Sequence, residues 1–407
     1  MEDFIKNQIL SGVKIAPINL LKSYFIKQTN PAVEAAKRKL GGKFLKGVCH
    51  PSENFEQIKG AGIQYFRPDA PVPFDADGNL REDYKNFKAK LQRYADNGIK
   101  AFVVTPYHSS FRELGIECRT PEGEAKICEA ARFYVQDLRD VAIGFQVTNE
   151  QGVPRFTNPL SMKEAAHYIG VQLQAMYPLR GDLLIGYNSG GPQCDLHELM
   201  KPWHQYCDYI GIDVYIGCFT PVGNWMYLFD ACLRFLYAYT GKPILLTEFG
   251  YISGGAPKTA EEKKAVLQRY GVSSEAEARA DIKAFVEKLP ERIRNQVYNN
   301  ASGDWGDFLF QIDFCYHFYS ELPKKVVIKK YPHTPEGQAG FYTAIWPRLK
   351  KLPFLLGAFV YCWGDSHRCY VCGQEDCPTE TRWGLTTVDG KEKPSYYAVQ
   401  EALAKID

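Results

Sequence analysis

Eight short apolar runs constrain the fold of this 407-residue chain more than any other feature. They are rich in β-branched residues and lie at 44–49, 63–67, 100–108, 142–150, 183–189, 208–215, 243–250 and 356–364. Segments between them, such as 82–98 and 161–179, place apolar residues three and four positions apart, which is typical of amphipathic helices. This alternation predicts a parallel sheet with crossover helices, and eight repeats predict a closed (β/α)8 barrel.

A doubly wound open sheet is the alternative to the barrel. Such a sheet commonly places a glycine-rich phosphate-binding turn directly after its first strand. The first run, FLKGVC at 44–49, is followed by HPSENF, which contains no glycine. The barrel is therefore the favoured architecture.

Two segments do not belong to the strand and helix repeats. Residues 1–42 precede the first run and predict an N-terminal helical arm that packs on the bottom of the barrel, which itself spans 43–407. The step from Pro243 to Leu356 is far longer than one loop and one helix require, and it predicts an insertion at about 252–333. The seventh barrel helix then starts with Thr334 as its N-cap and Pro335 at its first position.

The composition excludes several classes of function. With 49 basic and 47 acidic residues, the net charge of +2 provides no strongly basic face for nucleic acid. No stretch approaches the roughly 20 consecutive apolar residues that a membrane-spanning helix needs. The opening MEDFIKNQIL does not have the pattern of a secretory signal, so a cytoplasmic location is expected.

Two glutamates stand at the ends of apolar runs. Glu150 ends the fourth run and Glu248 lies near the end of the seventh. The carboxyl ends of all barrel strands point into one mouth, so these side chains are expected to meet there. Two carboxyl groups about 5–5.5 Å apart can carry out retaining glycoside hydrolysis, one as nucleophile and the other as acid and then base.

Four motifs in strand order give these glutamates a context. They are TNE at 148–150, DVY at 213–215, LLTEFGY at 245–251 and WG at 363–364. Together they resemble clan A of the retaining glycoside hydrolases, (β/α)8 barrels whose catalytic glutamates follow strands four and seven. The resemblance extends over roughly 44–405, including the closing stretch at 382–403. Gln151 replaces the proline that many members have after the acid/base glutamate, so no individual family is assigned.

The resemblance implies a role for five residues. Glu150 corresponds to the general acid/base and Glu248 to the nucleophile. Arg67 corresponds to the cation beside the nucleophile, and Tyr215 to a tyrosine that donates a hydrogen bond to it. Asn149 corresponds to the residue that binds the 2-hydroxyl of the sugar. An ion pair with a neighbouring aspartate is the alternative role for Arg67.

The resemblance also implies a wall and a floor for the sugar subsite. His108 corresponds to a polar wall and Trp363 to an aromatic floor. A structural histidine and an ordinary rim aromatic are the alternatives for these two. Asp213 and Asp365 also follow strands and are candidates for contacts with sugar hydroxyls.

Tryptophan and tyrosine residues in the predicted mouth loops are further candidates, because sugar rings stack on aromatic side chains. They are Trp225, Tyr227, Trp305 and Trp383. For Trp305, packing within a small core of the insertion is an equal alternative.

Most of the twelve cysteines, such as Cys49, Cys207, Cys315 and Cys362, lie in apolar strand-like contexts. There a reduced thiol behaves as a small hydrophobic side chain, and no disulfide framework is needed.

A cysteine cluster near the C-terminus differs from the other cysteines. Cys369, Cys372 and Cys377 have the spacing C-x2-C-x4-C, with His367 just before them. Three thiolates and a histidine can hold a structural Zn²⁺ tetrahedrally, while free thiols or a disulfide are the alternatives. The two-carboxylate mechanism requires no metal or other cofactor.

The predicted activity is therefore cleavage of β-glycosidic bonds with retention of configuration, on oligosaccharides or small glycosides. The expected partner is a carbohydrate substrate, not nucleic acid or a membrane. A barrel that binds carbohydrate without cleaving it is the alternative. A metal-dependent barrel hydrolase would require His-x-His or several carboxylates at the strand ends, and this pattern is missing from the sequence.

Overall fold

The fold is a closed barrel of eight parallel strands in sequential order, β1 to β8. The computed structural model describes residues 29–218, 224–255, 258–298, 304–310, 317–319, 327–375 and 377–406. The strands are β1 (Leu45–Cys49), β2 (Tyr65–Arg67), β3 (Lys100–Val104), β4 (Ala142–Val147), β5 (Leu184–Gly190), β6 (Tyr209–Val214), β7 (Ile244–Phe249) and β8 (Leu355–Val360). Each overlaps one predicted apolar run, and β8 pairs with β1 to close the sheet. The predicted (β/α)8 fold is confirmed.

Helices lie between the strands as the amphipathic segments predict. Up to β7 they are α1 (Pro31–Lys39), α2 (Phe55–Gly60), α3 (Glu82–Asp96), α4 (His108–Arg112), α5 (Pro121–Asp137), α6 (Pro154–Thr157), α7 (Met162–Met176), α8 (Cys194–Met200) and α9 (Trp225–Thr240). After β7 they are α10 (Ala260–Arg269), α11 (Glu275–Ala280), α12 (Ile282–Glu287), α13 (Glu291–Tyr298), α14 (Trp305–Phe308), α15 (Pro335–Leu349), α16 (Pro378–Thr381) and α17 (Pro394–Leu403). Two 3₁₀ helices, Tyr177–Leu179 and Lys201–Tyr206, precede β5 and β6.

Large aromatic rings fill the barrel interior. Phe102, Tyr209 and Phe359 belong to one buried cluster, and their rings pack on one another. Space for them comes from glycines on the neighbouring strands, because a Cβ on Gly47, which pairs with Phe359, would lie 2.2 Å from the Phe359 ring. The interior is a packed core, so a substrate has access only at its ends.

Helix α1 closes the bottom of the barrel. Its Ala36 and Leu40, just after its last residue, join the interior cluster. Lys39 donates hydrogen bonds to the Leu183 carbonyl at 2.9 Å and to Asp208 at 3.1 Å, where strands β5 and β6 begin. Residues 1–28 of the predicted arm lie outside the described residues. With the bottom covered, the carboxyl ends of the strands form the accessible mouth.

Helices α10 to α14 lie between β7 and β8, where the insertion is predicted, and they have a small core of their own. Buried side chains of these helices, among them Val266, Phe285 and Ile293, form a cluster separate from the barrel core. Residues 256–257, 299–303, 311–316 and 320–326 of the insertion, with Cys315, lie outside the described residues. Helix α15 then begins at Pro335, and the Thr334 side chain accepts a hydrogen bond from the Gly337 N–H, as predicted.

Among the described residues, none of the helices combines the length and the apolar character that crossing a bilayer requires.

Candidate active site

The end of β4 has an irregular backbone that presents Glu150. Thr148 has φ of 56° and Glu150 has φ of 44°, a left-handed conformation that is unfavourable for residues other than glycine. The Thr148 N–H donates to the Thr105 hydroxyl at 3.1 Å, and the Glu150 N–H donates to Asn188 Oδ1 at 2.8 Å. Side chains of β5 and of the loop after β3 therefore hold the strained turn that presents the glutamate.

Glu248 lies in strand β7, where the pairing with β6 and β8 shifts register, and it accepts hydrogen bonds from two donors. Arg67 Nη1 donates to one carboxylate oxygen and the Tyr215 hydroxyl donates to the other. The side chains of Arg67 and Glu248 are only 2% and 9% exposed. Burial, together with the charge of Glu248, raises the pKa of Tyr215 well above its usual value, so the phenol keeps its proton and remains a donor. Both contacts fix the orientation of the Glu248 carboxylate.

The Glu150 carboxyl group is in the opposite electrostatic situation. Burial and the negative charge of Glu248 raise the pKa of Glu150 to about 8, against the smaller opposing effects of Arg67 and Arg155. Its Oε1 lies against the end of β5, where a Cβ on Gly190 would come within 2.7 Å of it. At neutral pH Glu150 therefore holds a proton.

A network of side-chain amides connects the two sides of the mouth. Asn149 Oδ1 accepts from Arg67 Nη2 at 2.5 Å and from Asn188 Nδ2 at 2.9 Å. Asn188 Nδ2 also lies 2.8 Å from Asp213 Oδ2, and Gln146 Oε1 accepts from Arg67 Nε at 3.1 Å. Because two donors point at its oxygen, the Asn149 amide is fixed with its NH₂ turned away from them.

Asp213 is buried within this network and is not a surface contact for sugar. It is 2% exposed, and the Thr247 hydroxyl donates to it at 2.6 Å. Burial and the charges of Glu248 and Glu150 raise its pKa well above the usual value. Its place between Asn188 and Thr247 makes it a support for the ends of β5 and β7.

The sequence reasoning missed several residues of the mouth. Asn188 and Gln146 link Glu150, Asn149 and Arg67, and the ring of Tyr107 stacks on Phe156 with its centroid 5.4 Å away. Asn188, Gln146 and Tyr107 each lie in a predicted strand, so their positions could be read from the sequence. A polar residue at such a position indicates function only when its partners are known.

Glu380, in the loop after β8, is a further missed carboxyl group. Burial raises its pKa to about 8, and the charge of Glu248 acts in the same direction, whereas Arg155 opposes it. No strand motif marks this residue, because its position depends on a long loop.

Tyr361, not the predicted Trp363, is the residue after β8 whose ring lies beside Tyr215. The ring of Tyr361, directly after β8, lies edge-on to Tyr215, with centroids 6.0 Å apart, and to Trp383 at 5.7 Å. Trp363 is 2% exposed and packs against Tyr396 of helix α17.

His108 lies behind the mouth, not in its wall. It is 3% exposed, and its Nδ1 is 3.2 Å from Gln151 Nε2. Burial lowers the pKa of His108 to about 4, so the ring is neutral at pH 7. Gln151 also donates to the Phe156 carbonyl at 2.6 Å. His108 and Gln151 together support the loop that presents Glu150.

Asp365 serves the structure of the β8 loop. Its carboxylate pairs with Lys393 at 2.9 Å and accepts from the Gly384 N–H at 2.8 Å. Because Lys393 and the Gly384 N–H occupy the Asp365 carboxylate, it does not have the role predicted for it, a contact with sugar hydroxyls.

The other predicted mouth aromatics have different surroundings. The ring of Trp225 packs on Tyr331 and Phe341, and Tyr227 is 48% exposed. Trp305 packs beside Tyr298 against the core of the insertion, which is the alternative considered for it. Trp383 is 2% exposed and supports Tyr215, with ring centroids 5.1 Å apart.

The cysteine cluster contains a different histidine from the predicted one. His317, from the insertion, lies beside Cys369 and Cys377, whereas His367 is exposed and outside the group. The predicted ligand set of Cys369, Cys372, Cys377 and His367 is therefore corrected at the histidine. Sequence spacing could not identify His317, because 52 residues separate it from Cys369.

No protein-family model and no curated protein matches the chain. Among solved structures, the β-D-glucuronidase of Dictyoglomus thermophilum is 14% identical over 90% of this chain and 51% of that one, with a TM-score of 0.51. A family 39 glycoside hydrolase from Bacteroides cellulosilyticus WH2 is 15% identical over 89% and 64%, with a TM-score of 0.53. A β-glucuronidase of Bacteroides uniformis is 13% identical over 88% and 35%, with a TM-score of 0.52. This chain thus spans about a third to two thirds of those proteins, and at such identities the likeness shows that it has the barrel fold of these glycoside hydrolases.

Proposed function

We propose that the protein is a retaining glycoside hydrolase of clan A that cleaves β-glycosidic bonds by double displacement. The observation that carries this proposal is that two glutamates share one barrel mouth, Glu150 with a pKa raised to about 8 and Glu248 held by Arg67 and Tyr215. Two carboxyl groups with opposite protonation are what the first step of this mechanism requires. The solved barrels with the same fold include several glycoside hydrolases.

In the first step, the Glu248 carboxylate attacks the anomeric carbon while Glu150 gives its proton to the departing glycosidic oxygen. A covalent glycosyl-enzyme forms, and the C–O bond to the leaving group breaks. Arg67 and Tyr215 orient the nucleophile through one hydrogen bond to each of its oxygens. Attack therefore depends on the geometry that these two donors enforce.

In the second step, Glu150 acts as a base toward water. When Glu248 becomes an ester its negative charge is lost, and that charge is one of the causes of the raised pKa of Glu150. The pKa of Glu150 then falls and the group gives up its proton. The resulting carboxylate removes a proton from the water that attacks the anomeric carbon, and the product retains its configuration.

Asn149 is assigned to the 2-hydroxyl of the sugar. Its oxygen is held by Arg67, Gln146 and Asn188, so its NH₂ group, which also contacts the Tyr107 hydroxyl, is the part left to bind a substrate. A hydrogen bond to this hydroxyl strengthens as positive charge develops on the sugar ring in the transition state. The preceding residue, Thr148, and the following residue, Glu150, fix its position through their left-handed backbone.

The substrate class proposed is an oligosaccharide or a small glycoside. Solved barrels with the same fold are described as β-glucuronidases and β-galacturonidases, so both neutral glycosides and uronides belong in the substrate screen. The charge of Arg155 lowers the pKa of Glu150, and Arg155 does not belong to the ion pair of Arg67 with Glu248. It is therefore the first residue to test if uronides are preferred.

A screen of 4-nitrophenyl β-glycosides and β-uronides, followed by NMR of the first-formed anomer, tests the proposal. We expect hydrolysis of at least one substrate, with the β-anomer appearing before mutarotation. Formation of the α-anomer first would contradict the retaining mechanism. Carbohydrate binding without any turnover across the screen would instead support the alternative of a non-catalytic binding barrel.

A further inference from the structure

Three cysteines and one histidine form a buried cluster outside the barrel mouth. The thiol cluster consists of His317 from the insertion and Cys369, Cys372 and Cys377 from the loop after β8. All four side chains are at most 3% exposed. The three cysteines belong to the same small core as the helices of the insertion. Two segments far apart in sequence therefore meet at these four side chains.

The distances within the cluster match those around a tetrahedral metal ion. His317 Nδ1 lies 3.6 Å from Cys369 Sγ and 3.7 Å from Cys377 Sγ. A tetrahedral zinc ion with Zn–S of about 2.3 Å and Zn–N of about 2.0–2.1 Å places nitrogen and sulfur about 3.6 Å apart. The ligand atoms of His317, Cys369 and Cys377 all lie within 4.8 Å of one another. Cys372 is not in that group of three, but its thiol contacts the other two thiols from within the same loop and would have to turn toward the ion.

The backbone around the first two cysteines is arranged to stabilise thiolate sulfur. The N–H groups of Val371 and Cys372 both donate to Cys369 Sγ at 3.3 Å. Gly373 continues the turn with φ of 73°, a left-handed conformation that suits glycine. Neutral thiols are weak acceptors, whereas thiolates are strong ones and are the form that binds metal.

A glutamine side chain fixes the second cysteine to the histidine segment. Gln374 Nε2 lies 3.4 Å from Cys372 Sγ and 3.3 Å from the His317 carbonyl oxygen. Interactions of this kind hold metal ligands in place and set their orientation. The cluster thus has both potential ligands and groups that support them.

We propose that His317, Cys369, Cys372 and Cys377 bind one structural Zn²⁺ ion, through Nδ1 of the histidine and Sγ of each cysteine. Three thiolates and one imidazole in tetrahedral geometry suit zinc, and four protein ligands leave no open position for catalysis. A cleft of about 630 Å³, lined in part by Tyr270, Cys372 and Gln374, gives the ion a path from the surface.

The ion would tie the insertion to the loop that supports the mouth. The Thr381 N–H donates to the Cys377 carbonyl at 3.2 Å, and Trp383, two residues later, packs against Tyr215. The Tyr215 hydroxyl in turn binds Glu248. Zinc would therefore stiffen the aromatic side of the mouth from outside, and this role does not depend on which reaction the mouth catalyses.

Metal analysis of the purified full-length protein tests the proposal. We expect about one zinc per chain and an X-ray absorption spectrum that fits three sulfurs at about 2.3 Å and one nitrogen at about 2.0–2.1 Å. A chelator is expected to lower the melting temperature, because the ion binds only the folded chain. Cobalt substitution is expected to give the intense visible and near-ultraviolet bands of tetrahedral thiolate coordination.

Matched variants identify the ligands. His317→Ala and Cys377→Ser are expected to lose zinc, whereas His367→Ala and Cys118→Ser, which alter a histidine and a cysteine outside the cluster, are expected to keep it. The wild-type measurements stand even if a ligand variant fails to fold. A folded wild-type protein without metal, a disulfide within the cluster, bound iron in place of zinc, or loss of zinc in His367→Ala would each overturn the proposal.

Discussion

The ends of strands β4 and β7 carry the same type of residue in contrasting surroundings. At β7 Glu248 lies within the strand and receives hydrogen bonds from Arg67 and Tyr215. At β4 the backbone of Glu150 is left-handed, and burial raises the pKa of its side chain to about 8. Glu150 therefore holds a proton at neutral pH. Their chemical roles follow from their neighbours, because the carboxyl group itself is identical.

The single guanidinium of Arg67 explains much of this contrast. It pairs directly with Glu248 and lowers the pKa of Glu150 only through its more distant charge. Burial alone would lower the pKa of Arg67, but the charges of Glu248, Cys49 and Asp213 raise it well above the usual value. One permanent cation thus neutralises one of the two acids and leaves the other protonated.

Removal of the β7 carboxylate is expected to have the largest effect. Glu248→Ala should lower turnover of a 2,4-dinitrophenyl glycoside on the order of 10⁵-fold, because no group can form the covalent intermediate. Azide should restore turnover in Glu248→Ala and produce the α-glycosyl azide. It should not rescue Glu248→Gln, in which the amide fills the space. Normal hydrolysis by Glu248→Ala would refute the assignment.

Replacement of the β4 glutamate is expected to have an effect that depends on the leaving group. Glu150→Gln cannot give a proton, so hydrolysis of an unactivated glycoside should slow by about 10²–10⁴-fold. Formation of the glycosyl-enzyme from a 2,4-dinitrophenyl glycoside should change little, since this leaving group needs no proton. Burst kinetics with the two substrates measure the difference. Equal losses for both substrates would argue against a general acid at this position.

Loss of one donor to the nucleophile is expected to have an intermediate effect. Tyr215→Phe removes the hydroxyl that binds Glu248 and should lower kcat/KM by about 10²-fold. Tyr227→Phe, in an exposed tyrosine of the helix that follows the same strand, is the matched control and should retain full activity. Equal activity of the two variants would show that the Tyr215 contact does not matter for the reaction.

The proton on Glu150 predicts the alkaline side of the pH profile. Since this group must be protonated in the first step and its pKa is about 8, kcat/KM should begin to fall near pH 8 and then drop about tenfold for each unit above it. This alkaline limb, the fall in kcat/KM above pH 8, should be missing when Glu150→Gln hydrolyses an activated substrate. A limb that persists unchanged in this variant would assign the titration to another group.

The contrast also predicts a modest gain in stability for Glu150→Gln. The folded protein binds this proton with a pKa of about 8 and the unfolded chain with the ordinary value of 4.5, so Glu150 costs stability as the pH rises between these values. At pH 9 the variant should be more stable than wild type by about 1–3 kcal/mol, and at pH 4 the two should be equal. Chemical denaturation at both values measures the difference, and a larger gain at pH 4 would contradict it.

Much of the fold was predictable because strands and helices have different hydrophobic periods. All eight strands overlap predicted apolar runs, and Thr334 caps its helix as predicted. The contact of Glu248 with Arg67 and Tyr215 was predicted through the resemblance to a known clan. The errors concern residues beyond strand ends, where the chain can turn in several ways. Tyr361, not Trp363, lies beside Tyr215 for this reason.

The sequence by itself determined the barrel and the two carboxyl groups at its mouth, since period and strand order are local properties of the chain. The tertiary structure alone decided the protonation of Glu150, because burial and the charge of Glu248 are set by groups distant in sequence. It also decided that His317 joins the three cysteines, because the path of the long insertion brings that residue to them. Contacts of this kind depend on how loops pack, and no local pattern encodes them.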